Sequence, residues 1–135
     1  MRLNWAAVLV AAVVCWVFRA MWFTALKVPW QDGSHLSPQE LQAPGLWPPV
    51  ISLLCNVLIA YAIASVLAGS ESRGLLRGVF VGVLIGMVAA LAMMTEMVYE
   101  ARMAPFVAIA AGYPLAGCIL MGIILGAWKP KSKTQ

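Results

Sequence analysis

The chain has 135 residues, of which 63% are hydrophobic and 10% are charged, and its mean hydropathy is +0.90. A soluble domain has roughly 45–50% apolar and about 25% charged residues, so this composition excludes an ordinary soluble fold and indicates an integral membrane protein. The formal net charge is +4, yet the basic residues form no patch with interleaved aromatic side chains, so we expect the lipid bilayer and no nucleic acid as a partner.

Four apolar runs predict transmembrane helices at about residues 3–26, 46–69, 75–99 and 105–128. An α-helix rises about 1.5 Å per residue, so each run is long enough to cross a hydrocarbon core about 30 Å thick. The first run is too long for the apolar part of a typical signal peptide, and we expect it to remain as a span. The prediction is an all-α integral membrane protein, with a four-transmembrane-helix bundle as a single membrane domain over residues 1–135.

A polar loop at residues 27–45 separates the first two spans. Within it, Ser37-Pro38-Gln39-Glu40 places a hydroxyl before the helix, a proline at the first helical position and a carboxylate at the third. This is the pattern of a capping box, and it predicts a short external amphipathic helix on the membrane surface. The loop is also the longest extramembrane segment, which makes it the candidate for contact with a partner protein.

Lysine and arginine are unequally distributed between the two sides of the predicted membrane. One side carries Arg2, Arg73, Arg77, Lys129, Lys131 and Lys133, and the other carries Lys27 and Arg102. The positive-inside rule therefore predicts that both termini are cytoplasmic, that residues 129–135 form a cytoplasmic basic tail, and that the loop at 27–45 is external. The expected location is the inner, or plasma, membrane.

Small residues recur at every fourth position of the third predicted span. They include Gly78, Gly82 and Gly86, and the fourth span carries Gly122 and Gly126 at the same spacing. Such a face lets two helix backbones approach closely, so these five glycines predict a packing seam. We favour a neighbouring helix of the same chain as the partner, with a homo-oligomer as the alternative.

A cluster of charged and polar residues is predicted near the outer ends of the spans. An arginine costs about 2.5–3.5 kcal/mol at the centre of a span, which makes Arg19 the most informative residue. It could form an ion pair with Glu96 or Glu100, and Arg102 and Tyr113 could complete an outward-facing pocket for an anion, a proton or a headgroup. The alternative is that the charges only neutralise each other and hold the first and third spans together. Non-additive effects of Arg19→Ala and Glu100→Ala would support the ion pair.

The remaining polar residues predict no metal site and no cofactor. His35 has no companion ligands, and Cys15, Cys55 and Cys118 lie in apolar runs without metal-binding spacing. Asn56, near the middle of the second span, is expected to hydrogen-bond a neighbouring helix, with a role in a solute path as the alternative.

Several short motifs together resemble the small bacterial membrane proteins of the family called domain of unknown function 1761. The motifs are Asn4-Trp5, Ala20-Met21-Trp22-Phe23, Glu100-Ala101-Arg102, Gly112-Tyr113 and the segment from Met121 to Trp128. The family pattern has a glycine, an asparagine and a histidine where this chain has Arg19, Ala110 and Pro114. The resemblance implies a four-helix membrane fold and supplies no substrate, because the family has no assigned activity.

Three classes of function follow from these patterns. The chain carries no zinc-protease, nucleophile-elbow, Walker or dinucleotide-binding motif. This favours a non-catalytic subunit or an assembly and interaction protein. Such a protein would contact its partner through a glycine face or the external loop. A small transporter or channel built on the Arg and Glu cluster is the first alternative, and a membrane-embedded enzyme is the second.

Overall fold

A computed structural model describes residues 3–34, 45–71, 74–100 and 102–128. The helices are α1 (Trp5–Ala25), α2 (Lys27–Ser34), α3 (Trp47–Ala68), α4 (Leu75–Tyr99) and α5 (Ala104–Ala127). Helices α1, α3, α4 and α5 are long and apolar enough to cross a membrane. Of the described residues 88% are helical and none is in a strand, which confirms the predicted all-α membrane bundle.

The break between α1 and α2 has its cause in Pro29. Proline has no N–H to donate to the carbonyl group four residues earlier, and its ring clashes with that group. The residue four positions before Pro29 is Ala25, where α1 ends, and α2 begins at Lys27. Residues 27–34 were predicted to be loop, and that prediction was wrong, because a proline is tolerated in the first turn of a helix. The predicted capping box at Ser37–Glu40 lies outside the described residues.

The transmembrane helices pack in antiparallel pairs. Trp5 stacks on Tyr61 with ring centroids 5.6 Å apart, and the indole N–H of Trp16 donates to the Pro49 carbonyl oxygen over 3.2 Å. The first contact joins the start of α1 to the later part of α3, and the second joins the middle of α1 to the beginning of α3. The two helices therefore run antiparallel. One end of the bundle contains α2, the last turn of α1 and the first turns of α3 and α5. We call this end the loop end.

Helix α5 is the centre of the bundle, since it contacts α1, α2, α3 and α4. Helix α1 packs on α3 and α5, whereas no Cα atom of α1 lies within 8 Å of a Cα atom of α4. The buried core consists largely of small side chains, which allows close helix packing. Its members include Val8, Ala11, Ala12, Ala60, Ile63, Ala64, Leu67, Val81 and Met121.

The glycine faces of α4 and α5 meet along their length. A Cβ atom placed on Gly78 would lie 2.9 Å from the Cα atom of Gly126 and closer still to the carbonyl oxygen of Gly122. One placed on Gly86 would lie 2.9 Å from the Cα atom of Leu115, and Gly82 is in the same way directly against the Cys118 backbone. The seam therefore lies within one chain, and the glycine face of α4 is covered by α5.

Candidate functional site

A cavity of about 270 Å³ lies between α1, α3, α4 and α5. Most of its wall is apolar, with a small set of polar groups, which is the usual composition of a small-molecule site. The polar and thiol-bearing residues that line it are Cys15, Arg19, Ser52, Cys55, Asn56, Tyr113 and Cys118.

Arg19 lies on the cavity wall between two aromatic rings. Its guanidinium carbon is 5.1 Å from the centroid of the Phe23 ring and 5.9 Å from that of the Tyr113 ring. Both distances are within the roughly 6 Å over which a cation is attracted to an aromatic face. No hydrogen bond or ion pair joins Arg19 to another residue in the described part of the chain. The aromatic rings therefore hold the guanidinium group in place, while no described side chain neutralises its charge.

Asn56 and Tyr113 contribute further donors to the same cavity. Asn56 is only 4% exposed, and its Nδ2 atom has no hydrogen-bond partner among the described residues. The Tyr113 hydroxyl group has the Cys15 sulfur as a neighbour at 3.6 Å, a weak interaction because a thiol is a poor hydrogen-bonding group. An unpaired buried N–H costs about 1–3 kcal/mol, so this arrangement is favourable only if something else accepts the bond.

The cavity reaches the surface of the bundle between α3 and α4. Among its lining residues, Cys55 on α3 is exposed and Met93 on α4 is 37% exposed. Both belong to helices that span the membrane, so this side of the molecule faces lipid.

An aromatic layer covers the loop end of the bundle next to the cavity. The Trp30 ring of α2 stacks on Phe106 of α5 at 5.8 Å between centroids and meets Phe23 edge-on at 5.3 Å. Phe23 also lines the cavity. This layer lies beside the cavity, and its ring contacts explain why α2 packs against α5.

The predicted cluster of Arg19 with the glutamates is not assembled by the described residues. Glu100 instead forms an ion pair with Arg102, with 3.1 Å between Oε2 and Nε. Tyr113 does lie beside Arg19, as the sequence predicted. Tyr113 belongs to α5, however, and α5 separates α1 from α4.

The depth of the glutamates also differs from the prediction. Gly86 lies against Leu115 across the α4–α5 seam. Because the two helices are antiparallel, the α4 residue at the same depth as Tyr113 lies about two positions after Gly86. Glu96 is then about eight residues, or roughly 12 Å, closer to the loop end than Arg19. The hypothesis of an ion pair between Arg19 and Glu96 or Glu100 was therefore wrong in both helix order and depth.

Arg19 on α1 and Ala110 and Pro114 on α5 all line the cavity. Pro114 cannot supply the N–H that would bond the Ala110 carbonyl group, so this wall of the cavity also contains a released backbone acceptor. The three cysteines line the same cavity, but no group of three His, Cys, Asp or Glu side chains in the described ranges is placed to hold a metal ion.

Comparison with known protein families gives a match over nearly the whole chain. The family described as "Protein of unknown function (DUF1761)" matches residues 6–126, a range that extends from the second residue of α1 to the next-to-last residue of α5. No curated protein and no solved structure matches the chain. The chain therefore belongs to the DUF1761 family of proteins of unknown function.

Proposed function

We propose that this protein is a non-catalytic binding protein of the plasma membrane that holds a bilayer-resident amphipathic molecule between its helices. The observation that carries the proposal is the cavity of about 270 Å³, which has a largely apolar wall with a few polar groups and reaches the surface of the bundle between α3 and α4. Such a cavity selects a ligand that has both an apolar chain and a polar group.

The size of the cavity supports this type of ligand. An apolar protein cavity of about 150 Å³ binds benzene, and this cavity is nearly twice as large. This is enough for a polar headgroup with its first carbon atoms, while the rest of an apolar chain would extend through the opening into the bilayer. A ligand held in this way would fill the space between α3 and α4.

The distribution of basic residues supports an orientation with both termini in the cytoplasm, as the positive-inside rule requires. Arg19 lies six residues before the end of α1, or roughly 9 Å along the helix. In this orientation the part of the cavity around Arg19 belongs to the outer leaflet. The ligand would then be a molecule of that leaflet.

A non-catalytic subunit or assembly protein is the second candidate. Helix α4 packs mainly on α5, and its other side chains, such as Leu76 at 85% and Val88 at 71% exposure, face outwards. A helix with so much free surface can contact a partner protein as well as lipid. The glycine seam would take no part in this contact, because α5 covers it.

Native mass spectrometry of the protein purified in mild detergent tests the proposal. Ala89→Phe places a large ring in the cavity wall, and Ala92→Phe, on the exposed side of the same helix, is the matched control. We expect the wild type and Ala92→Phe to retain a bound amphipathic molecule of defined mass, and Ala89→Phe to lose it. Equal occupancy in all three proteins, or none in any, would contradict the proposal, and a stoichiometric protein partner would favour the second candidate.

A further inference from the structure

We infer that the cavity binds the anionic headgroup, a carboxylate or a phosphate, of an amphipathic molecule, with Arg19 as the charge partner and Asn56 and Tyr113 as additional donors. This inference rests on the proposed function and adds to it the chemical class of the ligand. The juxtaposition that carries it is an unneutralised arginine and an unpaired, buried amide on the wall of one cavity.

The geometry of Arg19 favours an anion with two oxygen atoms. The rings of Phe23 and Tyr113 lie 5.1 and 5.9 Å from the guanidinium carbon. A guanidinium group that is stacked on aromatic rings keeps its N–H donors at the edge of its plane, where a carboxylate or phosphate accepts two parallel hydrogen bonds. The rings thus hold the arginine in a fixed position before the ligand arrives, which reduces the entropy lost on binding.

The charge of Arg19 has no counter-ion among the described residues, and its side chain is exposed on α1. Glu100, one of the two glutamates predicted as possible partners, is paired with Arg102 at the end of another helix. No aspartate or glutamate is among the described residues that line the cavity. An ionised side chain in a hydrocarbon environment is stable only when it is paired or hydrated, so a bound anion supplies what the described residues lack.

Asn56 is the second, independent observation. Its side chain is 4% exposed, it lines the cavity, and its Nδ2 atom has no partner in the described part of the chain. Buried amides are almost always hydrogen-bonded, so an orphaned donor at a cavity indicates a missing acceptor. The Tyr113 hydroxyl group, which has the Cys15 sulfur at 3.6 Å and the Asn56 side chain as neighbours, is a further donor. Three donors, one of them positively charged, and no carboxylate favour an anion over a cation.

Three probes with the same chain test the inference: oleate, oleyl phosphate and oleyl alcohol. Each is titrated into the full-length protein in nanodiscs of zwitterionic lipid, and bound probe is counted by native mass spectrometry. Arg19→Gln removes the charge, and Arg77→Gln is the matched control, because Arg77 also lies over an aromatic ring, Phe80, at 5.6 Å but is not among the cavity-lining residues. Loss of a charge from a span lowers the cost of insertion, so Arg19→Gln is expected to fold.

We expect the wild type and Arg77→Gln to bind an anionic probe at least roughly tenfold more tightly than oleyl alcohol, since hydrogen bonds to charged groups contribute that much. Arg19→Gln should lose this preference, Arg19→Lys should keep part of it, and Asn56→Leu should weaken the anionic probe alone. A preference for oleate assigns a fatty-acid carboxylate, and a preference for oleyl phosphate assigns a lipid phosphate.

The two proposals fail in different ways in this experiment. Equal affinity for the alcohol and the anions in the wild type, unchanged in Arg19→Gln, would overturn the anionic assignment and leave the binding of an amphipathic molecule intact. Absence of binding by all three probes to the wild type would overturn both proposals. Equal binding by the wild type and Ala89→Phe would show that the probes bind outside the cavity.

Discussion

One additional methyl group at Gly78 is expected to force α4 and α5 apart. The Cβ atom of Gly78→Ala would lie 2.9 Å from the Cα atom of Gly126 and closer to the carbonyl oxygen of Gly122. Non-bonded carbon atoms are at optimal separation at about 3.5–4.0 Å. The contact with Gly126 alone is therefore too short by roughly 0.6–1.1 Å, and both neighbouring atoms are backbone atoms that cannot rotate away.

The magnitude follows from the cost of adding volume to a tightly packed interface. Overpacking costs about 1–3 kcal/mol, and a separation of the backbones also weakens the Cα–H···O contacts of such interfaces, each of about 0.5–1 kcal/mol. Alanine is a better helix former than glycine by up to about 1 kcal/mol, which offsets part of the loss. We expect a net loss of about 1–2 kcal/mol in the free energy of unfolding of Gly78→Ala.

Reversible unfolding in SDS and mild detergent mixtures, followed by circular dichroism or tryptophan fluorescence, measures this effect. Gly112→Ala is the matched control, because Gly112 also lies inside a membrane helix, α5, and its Cβ atom would meet only the Trp22 ring at an ordinary 3.4 Å. This control should be neutral or slightly stabilising. A Gly78→Ala protein as stable as Gly112→Ala would refute the observed closeness of the two backbones.

Three further predictions use other contacts. Trp22→Phe removes the hydrogen bond from the indole N–H to the Ile109 carbonyl oxygen, 3.0 Å long, and should lower the free energy of unfolding by about 0.5–1.5 kcal/mol; no change would show that this bond does not hold α1 to α5. The effects of Arg19→Gln and Glu100→Gln on stability should add to within about 0.5 kcal/mol, since distant sites are independent, whereas a clearly non-additive double variant would restore the ion-pair hypothesis. A reporter enzyme that is active only outside the cytoplasm should be inactive when fused after Gln135, and activity would reverse the proposed orientation.

Hydrophobicity and small-residue spacing were the signals that predicted the fold. The apolar runs lie within two residues of the bounds of α1, α3, α4 and α5, because the hydrocarbon thickness determines the length of a span. The four-residue spacing of glycine identifies the face of α4 that meets α5, since only residues without side chains permit such close backbones. Both signals are local in sequence, and neither depends on knowing which helices are neighbours.

The site could be predicted only in part, because it depends on helix order and register. Arg19 and Tyr113 were expected to belong together, and they do lie on one cavity wall. The partner of Arg19 could not be identified from charge alone, since Glu96 and Glu100 have the right sign but lie on a helix that α5 separates from α1. Asn56 did give a signal, a polar residue in mid-span, but a cavity beside it cannot be recognised without the packing.

Helix α2 could not be recognised from its composition. The segment Lys27–Ser34 contains a proline, an aspartate and a glycine, which together predict turns. Its helix is stabilised by tertiary contacts, chiefly the stacking of Trp30 on Phe106. Packing of one large aromatic side chain here outweighs weak local propensity.

Photolabelling tests the central claim, that an amphipathic molecule occupies the interhelical cavity, most directly. A fatty acid with a photoreactive diazirine near its carboxylate is incorporated into membranes that contain the protein, and the labelled residues are identified by peptide mapping. Labels concentrated on cavity residues such as Tyr113 and Met121, and abolished by Ala89→Phe, are the predicted result. Labels spread over the lipid-facing side chains of α4, such as Leu76 and Val88, and unchanged by Ala89→Phe, would contradict the claim.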